Sequence, residues 1–183
     1  MRISWFLSLI FIKLSKLAFS NFNQYKNGAY FYLFEQYIFS LQYSKIKAFA
    51  ENLGVAIIGD IPIYVAGDSV DVWKNPTLFS LNDDFSQKEV AGVPPDDFSA
   101  DGQLWGNPVY DWEAHKKNGF SWWLSRLERT LELYDAVRID HFRGFASYYS
   151  ISADALDAKN GVWKKGPAND LFDLVLERFD KER

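Results

Sequence analysis

Cysteine is absent from the chain, which excludes disulfide scaffolds, cysteine zinc sites and thiol nucleophiles together and leaves compartment undecided by cysteine usage. Histidine is almost as scarce. His115 and His141 are the only two, too far apart in sequence to make a helical ligand pair, so a metal hydrolase is not expected. No basic run stands out, and 20 Lys and Arg against 24 Asp and Glu give a net charge of −4. That balance argues against an electrostatic nucleic-acid binder. There is no glycine-rich phosphate loop, serine nucleophile elbow, repeat, low-complexity tract or obvious linker. Asp97 to Gly102 imitates the start of a calcium loop, but the twelfth position is Pro108 instead of Glu and no helix leads in. The apolar run Ile3 to Ile12 is too short for a membrane helix, which needs ~20 residues, so no membrane span is expected. Arg2 ahead of it gives the outline of a signal-peptide core, whereas Lys13 and Lys16 break it and no small-residue cleavage site follows. It reads either as such a segment or as an amphipathic helix or tail, and residues 1–29 are set apart from a domain over 30–183.

What the chain has in quantity is apolar and aromatic surface. Its 183 residues, 48% apolar and 24% charged, suffice for one domain with a sizeable core. They fall short of the ~250 residues of a complete eight-fold β/α barrel. The aromatic share of 18%, with seven Trp and ten Tyr, suits either a large core or a surface that stacks on flat ligands, sugar rings among them.

Phe31, Phe34, Ile38, Leu41, Ile46 and Phe49 recur at helical spacing, and Gly54 is placed to end the helix, which predicts a helix over about 30–53. Val55 to Ile58 then reads as a short buried parallel strand ended by Gly59 and Asp60. Five of the six prolines fall between residues 60 and 118 among many Asp, Asn and Gly, which predicts a long loop with short helical turns. Such a loop is usually functional. Ser121 is the expected cap of a helix from Trp122 to Tyr134, and Ala136 to Asp140 is the expected second strand. This rhythm is that of a parallel sheet, so the expected class is α/β.

Both strands end in acids, and parallel β/α folds build their sites at the carboxyl ends of strands. Alternation puts Ala136, Arg138 and Asp140 on one face and Val137 and Ile139, facing the helices, on the other. A guanidinium beside a carboxylate keeps it ionised. The pair is therefore either an oriented glycosidic nucleophile with its partner or a buried structural ion pair. Asp60 shares a face with Ala56 and Ile58 and is either a second site carboxylate or a loop-capping Asp.

The stretches GDIPIYVAGDSVDVWKNPTLF (59–79), AGVPPDDFSADGQLWGNPVYDW (91–112), RIDHFRGF (138–145) and GVWKKGPANDLF (161–172) occur in this order. Together they resemble the 4-alpha-glucanotransferases, also called amylomaltases or disproportionating enzymes, from about residue 30 to about 173. The resemblance implies a partial (β/α)8 barrel of the alpha-amylase clan and a retaining transfer between α-1,4-glucans: maltooligosaccharides, or starch or glycogen fragments. It implies a cytoplasmic protein with no cofactor and no metal. It makes Asp140 the nucleophile and Arg138 the residue that holds it, and places Asp60 at the end of the preceding barrel strand near the donor subsites. Trp105, Gly106 and Asn107 then belong to a loop over the substrate groove, and His141 lies beside the nucleophile near the bound sugar. Asp97 stands where the family usually has Tyr. The family's acid/base Glu and a further Asp lie on later strands, so the chain is expected to be an internal or truncated piece whose isolated form is inactive. The alternative is a non-catalytic glucan-binding remnant of such an enzyme, in which Trp105 either stacks on sugar or merely anchors its loop.

Overall fold

The computed structural model describes residues 22–179; the run Ile3 to Ile12 and most of segment 1–29 lie outside them. The chain divides between Val55 and Ala56 into two compact units. The described part of the first is one helix, α1 (Phe22–Asn52). It ends as expected at Gly54, where the Val55 amide returns to the Ala50 carbonyl at 2.9 Å and the Gly54 amide to the Glu51 carbonyl. Its start lies earlier than the periodicity indicated. The residues whose spacing predicts the helix, Phe31, Phe34, Leu41, Ile46 and Phe49, are exposed. Tyr32, Tyr37 and Phe39 spread aromatic surface round the other sides, so no single apolar face is defined.

The second unit opens with β1 (Ile58–Pro62), which runs parallel to β4 (Ala136–Asp140). The apolar run Val55 to Ile58 thus marks the strand two to four residues too early. Asp135 explains the shift: its carboxylate accepts the Ile57 amide at 2.8 Å, and its own amide donates to the Ile57 carbonyl at 2.9 Å. These bonds tie residue 57 down just ahead of the ladder. Burial on both faces, expected for this strand, is not found either, since Ile58, Asp60 and Pro62 lie on an exposed face. Gly59 faces the other way, under the Tyr134 ring, where a Cβ would come within 2.2 Å of ring carbon. Only glycine fits that approach.

About half of the segment 60–118 lies outside any helix or strand and the expected short helical turns are present, α2 (Val70–Lys74) and α3 (Trp112–Lys117), but the segment also contains two strands, β2 (Glu89–Val93) and β3 (Gln103–Pro108). After it come α4 (Ser121–Leu133), β4, then β5 (Ser147–Ser152), β6 (Val162–Lys165) and α5 (Asn169–Arg178). Strands β3, β2, β5 and β6, in that order, form an antiparallel sheet. Among the described residues the result is a mixed α/β fold: one parallel pair beside one four-stranded antiparallel sheet. Ser121 is the first residue of α4 and not its cap. That position belongs to Phe120, which takes a left-handed conformation (φ 53°) and buries its ring in the core.

The core is aromatic. Tyr110 and Trp123 meet at 5.6 Å, Trp123 and Phe145 at 5.0 Å, and Phe145 and Phe172 of α5 at 5.1 Å. Trp123 is fully buried, so its truncation to Ala is expected to cost about 3–5 kcal/mol. A smaller cluster of Val90, Tyr149, Ile151 and Ala158 seals the second sheet, with the Tyr149 hydroxyl donating to the Ala158 carbonyl.

Two stability predictions follow from this packing. Ala168, ahead of α5, sits at φ 43°, ψ −124°, a region that a Cβ disfavours, held there by the hydrogen bond its N–H donates to the Phe145 carbonyl. Ala168→Gly is expected to stabilise the chain by about 1 kcal/mol, read as a higher denaturant midpoint at unchanged slope; an unchanged or lower midpoint counts against strain. His115 is fully buried among the rings of Tyr110, Trp112 and Trp122, and burial pushes its imidazole down to about 4. The unfolded imidazole gains its proton near pH 6.5 and the folded one only near 4, so between these values the unfolded chain binds the extra proton. The contribution of His115 is complete above about pH 6.5 and falls toward pH 4 by about 3 kcal/mol in all. His115→Gln should flatten unfolding free energy between pH 7 and 5 relative to the parent; equal slopes in the two proteins would count against this assignment.

Candidate active site

In the parallel ladder Asp60 stands opposite Arg138 and Pro62 opposite Asp140. Ile139 turns into the core while Arg138 and Asp140 lie on the open face, in keeping with strand alternation. Arg138 grips Asp60 with both prongs of its guanidinium, Nε to Oδ1 at 3.1 Å and Nη2 to Oδ2 at 2.5 Å. These hydrogen bonds hold the Asp60 carboxyl below its ordinary value and raise Arg138. The guanidinium was expected on Asp140, its neighbour two residues along the strand. Cross-strand partners are ~4.8 Å apart, whereas positions i and i+2 of one strand are ~6.6 Å apart, so the partner in register takes the fork. The charge of Asp140 nonetheless reaches Arg138 and His141, favouring the protonated form of each.

Beside these charges stand three rings. Tyr64, two residues beyond β1, lies with its centroid 6.2 Å from Trp105 and 6.4 Å from His141, and Trp105 meets His141 edge-on at 4.8 Å. His141 follows β4 in a left-handed conformation (φ 52°), and its carbonyl accepts the Gly144 amide as the chain turns. Burial lowers the His141 imidazole, against the opposing pull of Asp140. Burial also pushes the Tyr64 hydroxyl far up, so it keeps its proton.

Trp105 owes its place to a bulge. In the β2–β3 ladder Val90 pairs with Pro108 and Gly92 with Leu104, so Trp105, Gly106 and Asn107 together oppose Ala91 alone. Gly106 has φ 77°, and a Cβ there would meet nothing within 4 Å. Conformation, and not lack of room, selects the glycine. The Trp105 indole is 37% exposed and donates to Gln103 Oε1 at 3.0 Å. Asn107 turns its amide inward instead, donating from Nδ2 to the Val65 carbonyl at 2.9 Å, which ties the bulge to the segment after β1.

The structure therefore brings Asp60, Arg138 and Asp140 onto one open strand-end face, with His141 and Trp105 beside it and Gly106 shaping the bulge, while Asn107 serves as an anchor. Sequence reasoning missed Tyr64. Its signal was an aromatic residue directly after the carboxyl end of the strand that carries Asp60, hidden because alternation stops at Pro62.

Comparison with known proteins points to one family. Residues 11–183 match the 4-alpha-glucanotransferase family. A 4-alpha-glucanotransferase of Aquifex aeolicus is 47% identical over 159 residues, 87% of this chain and 33% of that protein. One from Streptococcus pneumoniae serotype 4 is 51% identical over 144 residues, 79% of this chain and 28% of that protein. The amylomaltase from Streptococcus agalactiae, solved in complex with acarbose, superposes with a TM-score of 0.77 at 47% identity, over 79% of this chain and 29% of that one. The chain thus spans about a third of the length of the relatives it matches, and on these matches it belongs to the 4-alpha-glucanotransferase family.

Proposed function

We propose that this chain carries the nucleophile side of a 4-alpha-glucanotransferase site acting on α-1,4-glucans, with β1 and β4 as adjacent strands of a (β/α)8 barrel. The observation that carries the reading is the convergence of Asp60, Arg138 and Asp140 at the carboxyl ends of a parallel pair, flanked by the Tyr64, Trp105 and His141 rings. Aromatic faces suit the apolar faces of glucose, and the fixed charges beside them suit a glycosidic centre.

In the reaction, an Asp140 carboxylate oxygen attacks the anomeric carbon as the bond to the leaving 4-oxygen breaks, and a carboxylic acid gives that oxygen a proton. A glycosyl ester on Asp140 results. An acceptor 4-hydroxyl then attacks the same carbon, returns a proton to the acid, and releases Asp140 with net retention. The proton donor must be un-ionised at the first step. Asp60 does not meet that need, because the Arg138 fork keeps it ionised. Its role is to fix the guanidinium at the end of β4, and the acid/base carboxyl is assigned to parts of the family's length outside the third matched here. The non-catalytic reading, a chain that binds glucan without transfer, is favoured by the ring cluster alone.

Two experiments separate these readings. Incubated with maltotriose, the 183-residue chain is expected to yield no glucose or longer maltodextrins above background by chromatography. Turnover comparable to a whole enzyme would mean that a carboxyl within this chain serves as the acid. A 5-fluoro-α-glucosyl fluoride needs no proton to lose its leaving group, so it is expected to label the chain slowly on Asp140, with Asp140→Asn unlabelled by mass spectrometry. A label on Asp60, or anywhere outside 138–145, overturns the nucleophile; a chain that binds maltoheptaose yet takes no label is the non-catalytic remnant.

A further inference from the structure

The three backbone carbonyls around Tyr64 are each held by a side chain from elsewhere in the fold. Arg126, on α4, donates from Nη2 to the Pro62 carbonyl at 2.7 Å and from Nη1 to the Ile63 carbonyl at 3.2 Å. The Tyr110 hydroxyl donates to the same Ile63 oxygen at 2.6 Å, and Asn107 holds the Val65 carbonyl. The Ile63 oxygen belongs to the peptide plane from which the Tyr64 Cα departs, so its anchoring decides where the Tyr64 ring stands. Arg126 is itself fixed, its guanidinium lying 4.9 Å from the Trp123 centroid and 5.3 Å from that of Trp122. Two successive carbonyls demand two donors in a fixed fork, which lysine does not supply.

We propose that Arg126 is a positioning residue for the sugar-facing ring cluster: by holding the carbonyls of Pro62 and Ile63 it sets the place of Tyr64, and with it the mutual seating of Trp105 and His141. The assignment rests on the reading of those rings as a glucan platform. It makes α4 a functional element, although none of its side chains belongs to the cluster.

The test is proton NMR of the 183-residue chain, in which only two histidines need assignment, together with maltoheptaose titration. His141 packs edge-on against Trp105, so its ring protons report the seating of the cluster without any ligand. Arg126→Met is expected to move the His141 ring signals toward those of an unpacked imidazole and to weaken maltoheptaose binding at least about tenfold, while unfolding stays cooperative. Arg126→Lys, which reaches one carbonyl, should recover part of both. Arg126→Gln, smaller and neutral with one donor group, decides the matter if the Met variant does not fold. Unmoved His141 signals and unchanged affinity in a folded Met or Gln variant, even one that melts lower, would reduce Arg126 to core packing and overturn the proposal. His141 signals that shift in the Arg126 variants, with no maltoheptaose binding by the parent chain, would support the positioning role and overturn the glucan reading instead.

Discussion

The carbonyls at and just after the end of β1 find their donors outside the ladder, and that of buried Ile63 would be costly to leave unpaired. At Pro62 and Ile63 the partners are a guanidinium from α4 and a phenol from the segment after β3. Much of the second unit is organised by that demand. For Tyr110 to reach the Ile63 oxygen its ring must enter the core, where it packs on Phe79, Trp122 and Trp123. For Arg126 to reach, α4 must lie against the same strand end, and the Trp122 indole then meets Asp71 of α2 at 3.2 Å. Eight aromatic side chains are buried in this second unit, Tyr64 among them at the edge where its ring meets Trp105 and His141, whereas most of those described in α1 lie exposed.

The charged pair on the open face follows a different logic. Asp60 and Arg138 are both about half exposed or more, and exposed pairs add little to stability. Their geometry is nonetheless bidentate and cross-strand, a fork-to-fork match that favours one register of β1 on β4. A slip of β1 by one residue would turn Asp60 to the core side, away from Arg138, and expose Ile61. The pair is better understood as fixing where charges stand than as holding strands together, since the register it favours also sets Asp140 opposite Pro62.

Much of this was open to reading from residue order, and the reasons for the failures are physical. Asp140, Arg138 and Asp60 could be located because alternation in a parallel strand and the position of a strand's end are local properties. The partner of Arg138 could not, since it depends on register, a tertiary fact. The antiparallel sheet escaped notice because its strands are short and interrupted: β2 and β3 carry Gly92 and Gly106, β3 ends in Pro108, and β6 is four residues long. Glycine and proline at such density look like loop when pairing partners are unknown. The helical spacing of Phe31 to Phe49 identified α1 correctly, but spacing alone does not say that a stripe is covered.

Two of the left-handed backbone positions, Gly106 and His141, lie in the ring cluster. Trp105 is lifted by a three-residue bulge around a glycine at φ 77°, and His141 takes a left-handed conformation directly after the strand that ends in Asp140. Such positions persist only when surrounding contacts over-determine them. Here the contacts are the edge-on packing of the two rings, the Asn107 amide on the Val65 carbonyl and the Gly144 amide on the His141 carbonyl. The charges sit on regular strands, whose spacing scarcely varies, and the rings on bulge and turn, whose shape family members can alter without disturbing the ladder. In this division the strand pair sets the position of the carboxylates, and the bulge and turn set the surface of the ring cluster beside them.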